Sequence, residues 1–487
     1  MWVNSRLGFL GSTGSALPVQ KRVTSSIEFQ HKESLQADQF TRRPEIKFQG
    51  IRNPFAHQEP AYILDALKLG DLEKAKALIL KKVDVNARSE GDTALTYAAY
   101  KGATSKGYDE ITRLLIQNGA DVNLQDGEGA TALMYTVSAG NETLTRYLVE
   151  EAHANVNIVD RQKWSPLMLA LIEEQEKLAL YLIAKNAYIN EHSLTGETPL
   201  MIAAQSNQIE ALNLLLDYLA NPHAQDNHGN TALMLAIKQG QIRSMEAILQ
   251  RQSSIEDVNK AGVNALLLAA AYPEPAVLET LLAHGNPNLK AFDRQYQNAA
   301  VHAAKKGNTH NLLRLVQAGC DPLFPDEEGY NALHWAIRSN HESTAVALWK
   351  ELTPLKRAQA MILKTRDDET PLLWATIQKH CQLVQVMLED QSITAETKQQ
   401  WVNQPDVLGR TPLMWAAIVG DTETATHLIQ AGASPVLQDK RGRNALVYAS
   451  MNHQAETGRF LQTRMSADEI ADSEKVALSY LALKSKS

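Results

Sequence analysis

Two cysteines in 487 residues, Cys320 and Cys381, are too few for a disulfide framework, and a reducing compartment is their natural setting. Long apolar runs are missing as well. The longest uncharged apolar stretch, around Ala265 to Tyr272, falls far short of the roughly 18 residues a membrane helix needs. Neither sign of charge dominates: 48 Lys and Arg stand against 55 Asp and Glu, a net −7. General nucleic-acid binders are usually basic, so that class is set aside. The 44% hydrophobic content is too high for wholesale disorder, and the length suits roughly three ordinary domains.

Catalytic signatures are absent too. There is no nucleophile elbow, phosphate-binding loop, HExxH or paired-cysteine motif. His192, His223, His302, His334, His341, His380 and His427 are scattered without metal-ligand spacing, and His380 and Cys381 are helix neighbours that point in different directions. No enzyme activity, cofactor or metal is expected.

Residues 1–55 differ from the rest. Arg6, Lys21, Arg22, Lys32, Arg42, Arg43, Lys47 and Arg52 face only Glu28, Glu33, Asp38 and Glu45, with no acid before Glu28. A transit peptide shares those features, whereas Leu7 to Leu10 is too short for a secretory apolar core. Scattered Pro18, Pro44, Gly50 and Pro54 fit a flexible, mildly basic segment.

From there a short pattern recurs: Thr, Ser or Asn, then Pro or Ala, then usually Leu. It begins at Thr93, Thr131, Ser165, Thr198, Thr231, Asn264, Asn298, Asn331, Thr370, Thr411 and Asn444, with a basic period of 33 or 34 residues. Turn residues precede it, as in Asp126-Gly127-Glu128-Gly129 and Asp226-Asn227-His228-Gly229. The Thr, Ser or Asn sits where a helix N-cap belongs, with Pro or Ala at the first helical position. A Gly then stops the first helix (Gly102, Gly140, Gly240, Gly307, Gly420), and a second apolar helix ends at Gly119, Gly285, Gly319 or Gly432, the left-handed residue that closes a helix.

Turn, short helix, Gly, longer helix and Gly-Ala-Asp-Val-Asn resemble the ankyrin repeat; "GNTALMLAIKQGQ" and "GRTPLMWAAIVGD" lie close to its pattern. The resemblance implies an all-α solenoid of helix-turn-helix units with short β-turn or hairpin fingers. About twelve repeats span residues 56–465, the first, Ala61 to Asn86, acting as an N-terminal cap, and residues 466–487 form a C-terminal helical cap and tail. The family's His after Thr-Pro-Leu survives only at His334; elsewhere Thr96, Met134, Met168, Met201, Met234 or Met414 stands there, so hydrogen bonding between neighbouring turns is expected to be weaker. One repeat cannot bury its apolar face alone, so stacked neighbours share the core. The expected product is an elongated, curved array with a concave side of turns and first helices.

The period breaks near 103–107, 353–363 and 392–403. The last two insertions begin Thr353-Pro354 and Thr394-Ala395 and read as short third helices; the tail starts alike with Ser466-Ala467-Asp468-Glu469, a capping box. The residue after the Thr-Pro-Leu-His position is aromatic in the last four repeats: Trp335, Trp374, Trp415 and Tyr448. Stacking would set these about 10 Å apart as a ladder, either a binding face or packing between repeats. The turn tips offer a second surface that includes Trp164, Tyr296, Tyr330, Arg161, Arg294, Arg410, Lys440 and Arg441, with an acidic patch at Glu327, Glu328, Asp367, Asp368 and Glu369 suited to a basic partner. Asn86 and Asn123 end Leu-x5-Asp-Val-Asn segments that look like the ankyrin site of asparaginyl hydroxylation, against the simpler reading of Asn closing a turn.

The expectation is a monomeric, cytoplasmic scaffold or adaptor that binds a protein partner on the concave face of repeats nine to twelve, with no nucleic acid and no membrane insertion. The alternative is an effector that an intracellular bacterium delivers into the host cytosol by type IV secretion, suggested by Asp472-Ser473-Glu474 and the Leu481 to Ser487 end.

Overall fold

A computed structural model describes residues 62–102, 105, 107–251 and 255–484. The 1–55 segment lies outside the described residues, as do positions 103, 104 and 106 of the first insertion and the last three of the tail. Apart from one hairpin, Arg88–Ser89 against Asp92–Thr93, the described elements are helices. They form twelve pairs, from Ile63–Lys68 with Leu72–Leu80 in repeat one to Ala445–Met451 with Ala455–Gln462 in repeat twelve.

The recurring hydroxyl or amide starts each first helix of repeats two to twelve. Thr131 Oγ1 accepts from the backbone N–H of Met134 at 3.4 Å, Asn298 Oδ1 from Val301 at 3.0 Å and Thr370 Oγ1 from Leu373 at 3.3 Å. Such a cap satisfies one of the four donors a helix start leaves open, a contribution of about 1 kcal/mol each. Pro at the next position, as in Pro166, Pro199, Pro371 and Pro412, gives up a donor that would have no partner anyway.

Most helix stops follow the expected glycines: Gly140, Gly240, Gly307 and Gly420 after first helices, Gly119, Gly319 and Gly432 after second helices, all at positive φ. Two do not. Gly102 and Gly285 are the last helical residues of their helices, and after Gly285 it is Asn286, at φ +44°, that takes the left-handed place. Asn tolerates that region through its short polar side chain.

First helices stack on first helices of the next repeat and second helices on second helices, and each pair packs internally. The buried strip is made of Ala, Leu, Ile and Met, with Leu133, Met134, Leu148, Leu167 and Met168 fully enclosed. Every repeat therefore completes its neighbour's core. The turns are joined through main chain. From repeat four onward a backbone N–H of each finger donates to a carbonyl of the preceding one, as Arg161 to Glu128 (3.0 Å), Asn227 to Thr195 (2.9 Å), Lys260 to His228 (2.9 Å), Glu327 to Gln295 (3.1 Å) and Lys440 to Leu408 (3.1 Å). Met at the third helical position thus leaves the fingers linked by main chain.

The second and third insertions hold the helices Pro354–Ile362 and Ala395–Val402, capped by Thr353 and Thr394. Arg357 locks the first of them down: its Nε and Nη2 donate to the carbonyls of Trp349 and Lys350, and its Nη1 lies 2.9 Å from the Asp390 carboxylate of the next repeat. Burial would raise the Asp390 carboxyl, but Ser392 and Arg357 together hold it below the ordinary value. The Ala467–Lys484 helix closes the far end, with Ser466 and Glu469 exchanging the two bonds of a capping box. Ser473 is buried against Asn444 (2.7 Å), and the Tyr480 hydroxyl donates to the Arg441 carbonyl.

Candidate functional site

Most fingers are organised by one carboxylate, replaced by Ser193, Asn259 and Thr365 in repeats five, seven and ten. Asp126, Asp293, Asp326, Asp406 and Asp439 each accept two backbone N–H bonds of their own turn on Oδ1. The other oxygen faces the ladder residue nine positions on. It accepts from Tyr135 Oη at 2.6 Å, Trp335 Nε1 at 2.8 Å, Trp415 Nε1 at 3.2 Å and Tyr448 Oη at 2.7 Å, and pairs with His302 Nε2 at 3.0 Å. The ladder is therefore the inner wall of the finger, built by a bond that the spacing of nine makes possible.

The four aromatic rungs divide. Trp415 and Tyr448 are buried, at 5% and 6% exposure. Arg410 lies over the Trp415 ring at 4.1 Å while pairing with Asp406 at 2.7 Å. Arg443 does the same for Tyr448 and Asp439, at 4.7 and 2.6 Å. Burial of Asp439 is more than offset by Arg443, so its carboxyl sits below the ordinary value, while burial pushes the Tyr448 phenol up. Arg410, read as a free turn tip, is instead an internal counter-ion, and these two rungs pack the array.

Trp335 and Trp374 are half-buried. Tyr330 is covered, with its ring 5.6 Å from that of Trp335 and 6.2 Å from that of Trp374. The Arg338 guanidinium stands over all three rings at 4.8, 5.1 and 5.9 Å, and Lys305 lies 4.5 Å from the Trp335 ring. Burial raises the Tyr330 phenol to about 12, against the pull of Arg338. Repeat ten departs from the finger rule: Thr365 replaces the turn Asp, and the buried Trp374 Nε1 has no acceptor. Arg338 makes no ion pair among the described residues. Sequence reasoning named Tyr330, Trp335 and Trp374 but missed Arg338 and Lys305; basic residues seven positions after the caps Asn331 and Asn298 were the available signal.

On the tips, Glu327, Glu328, Asp367 and Asp368 are exposed, while Glu369 is buried. Arg366 pairs with Glu328 at 2.8 Å and Lys364 with Asp368 at 3.6 Å, so the acidic patch is partly neutralised from within. The Asn86 side chain spans to repeat two, accepting from Asp121 N at 2.8 Å and donating to the Gly119 carbonyl at 3.2 Å, and Asn123 accepts from Asn155 N at 2.8 Å. Both asparagines clip neighbouring repeats together. Among the described residues no group of three His, Cys, Asp or Glu could hold a metal ion, and no helix is long and apolar enough to cross a membrane.

Stacked helix pairs, capped alike and joined finger to finger, define a helical repeat array. The family model described as ankyrin repeats (3 copies) matches in overlapping segments from 58–126 to 395–473. The chain belongs to the ankyrin-repeat family, whose repeats are in general protein–protein interaction modules. Similar curated proteins include the ankyrin repeat protein nuc-2 of Neurospora crassa, 26% identical over 246 residues, 50% of this chain and 20% of that protein. Human Rabankyrin-5 is 28% identical over 137 residues, 28% of this chain and 11% of its own length. The putative palmitoyltransferase ZDHHC13 of Danio rerio is 29% identical over 167 residues, 34% of this chain and 25% of its own. The chain thus spans a quarter or less of each of these relatives.

Proposed function

We propose that this chain is a non-enzymatic scaffold that captures a protein partner on the concave, first-helix side of the array, centred on repeats nine and ten. One observation carries the reading: Tyr330, Trp335 and Trp374 cluster under an Arg338 that has no ion-pair partner, beside an indole N–H with no acceptor. Half-buried indoles and an available guanidinium are what binding hot spots are made of. A buried donor without an acceptor is costly, so the Trp374 indole is held less firmly than the indoles bonded to a finger carboxylate. Because the surface is held by helices and fingers, little conformational entropy is lost on docking. Glu327, Asp367 and Asp368 at the rim favour a partner that brings basic side chains to the edge. The unactivated state of the candidate nucleophiles and bases supports a non-enzymatic role: burial pushes the Cys320 thiol up to about 11, raises that of Cys381, and seals His334. Two free thiols support a cytosolic setting.

The test is a quantitative pull-down with the full chain and with Trp335→Ala/Trp374→Ala, read by mass spectrometry, with far-UV circular dichroism as a control. Proteins captured by the wild type and lost from a folded double variant are the expected result. Identical captured sets remove the reading.

A further inference from the structure

A second aromatic group lies on the finger tips of repeats eight and nine, away from the ladder. Tyr296 and Phe292 stack at 5.1 Å with an interplanar angle of 16°, and Phe292 and Phe324 stack at 6.0 Å with 19°. All three rings are open to solvent, at 50%, 47% and 36% exposure. Three parallel rings in water are a surface without its cover.

The backbone under this stack is also unusual. Tyr296 stands at φ +60°, in the finger position that elsewhere holds Gly at positive φ, apart from Lys163 and Asp368. A bulky side chain in the left-handed region is strained, and Gly would fit it freely. The strain is kept where it adds a ring to an exposed stack, which is where a functional reason is to be sought.

The charges beside the rings choose the partner. Lys260, Lys290 and Arg294 are exposed on the fingers of repeats seven and eight, and none makes an ion pair among the described residues. The acids of the same region are already engaged: Asp257 with His223 at 2.7 Å, Asp293 with His302 at 3.0 Å, and Glu256 with the Asn288 N–H at 2.9 Å. On the repeat-nine side Glu327 is exposed and makes no ion pair, so the cations without an ion pair lie toward repeat seven and the acid without one toward repeat nine.

We propose that these tips form a second docking surface for an extended acidic peptide segment of a partner protein. Its apolar side chains lie on Tyr296, Phe292 and Phe324, and its carboxylates face Lys260, Lys290 and Arg294, with the most acidic part toward repeat seven. Opposite charges set register while the rings supply buried area. This surface shares no residue with the repeat-nine and repeat-ten cluster, so either can fail alone.

The test pans a phage-displayed random dodecapeptide library on the full chain, then titrates the enriched peptides, fluorescein-labelled, by anisotropy. Enrichment of Asp and Glu beside Leu, Phe or Pro is expected. Those peptides should bind Phe292→Ala/Phe324→Ala at least tenfold more weakly and Trp335→Ala/Trp374→Ala unchanged. Tyr296→Gly should lose affinity at least threefold while its urea midpoint stays level or rises, a combination that a purely structural tyrosine does not give. Enriched peptides without acidic bias, or with equal affinity for Phe292→Ala/Phe324→Ala, overturn the proposal. So does preferential binding of a labelled oligouridylate or a polylysine peptide through the same rings.

Discussion

At the third position of its first helices the chain repeatedly uses Met, and in repeat nine His334 stands there instead, fully buried with Nδ1 3.0 Å from Asn331 Oδ1. Burial holds its pKa at about 4, below the ordinary 6.5. A histidine depressed in this way stabilises the fold fully above pH 6.5, and the contribution is lost as pH falls toward 4. His334→Met, which copies Met201 and Met234, should reduce the loss of stability between pH 7 and pH 5 by about 2 kcal/mol. Hydrogen exchange of the Ala332–Arg338 amides at the two pH values measures it. His380, also lowered by burial, has the same sign and leaves a residual slope in the variant. The caps were legible from sequence at this scale because a cap is a local rule: Thr or Asn, and a backbone N–H three residues on. The exposure of each ladder rung was not. It is set by the residue just before the cap, where Arg410 and Arg443 cover their rings and Tyr330 instead adds one.

Among the elements, the Pro354–Ile362 helix depends on Arg357 more than on its own apolar face. Leu355 and Ile362 are exposed, and only Ala360 and Met361 are enclosed. Arg357→Ala removes two bonds to main-chain carbonyls and leaves Asp390 without its counter-ion, at a cost of about 2–3 kcal/mol. Denaturant melts followed by hydrogen exchange in repeats nine and ten should show that loss there, with repeats three to six unchanged. Helix positions in the insertions could be read from Thr353-Pro354 and Thr394, since an N-cap followed by helix formers needs no tertiary partner. The finger stack of Tyr296, Phe292 and Phe324 could not. Tyr296 was visible as a turn residue, but Phe292 meets it only once the repeat-eight finger folds back, and Phe324 joins only when repeat nine is set beside it.

For the array as a whole, ends are the weak points, because a terminal repeat has one neighbour and not two. The Ala467–Lys484 helix supplies the missing side for repeat twelve, with Ser473 and Ala477 buried. Deleting residues 466–487 should therefore raise hydrogen-exchange rates in Ala445–Met451 at least a hundredfold and lower the melting temperature by several degrees. The same deletion would blur any assay of the tail as a delivery signal, because it also uncaps the fold. The period of 33 made the solenoid legible before any coordinates. Which of its faces is open depended on side chains from adjacent repeats.

The most direct test of a partner-binding surface is a hydrogen-exchange footprint of the full chain with and without a partner recovered by the wild-type pull-down. Slowed exchange concentrated in Tyr330–Arg338 and Thr370–Ile377 is predicted. Protection that spares both segments and falls on the second helices would contradict the account.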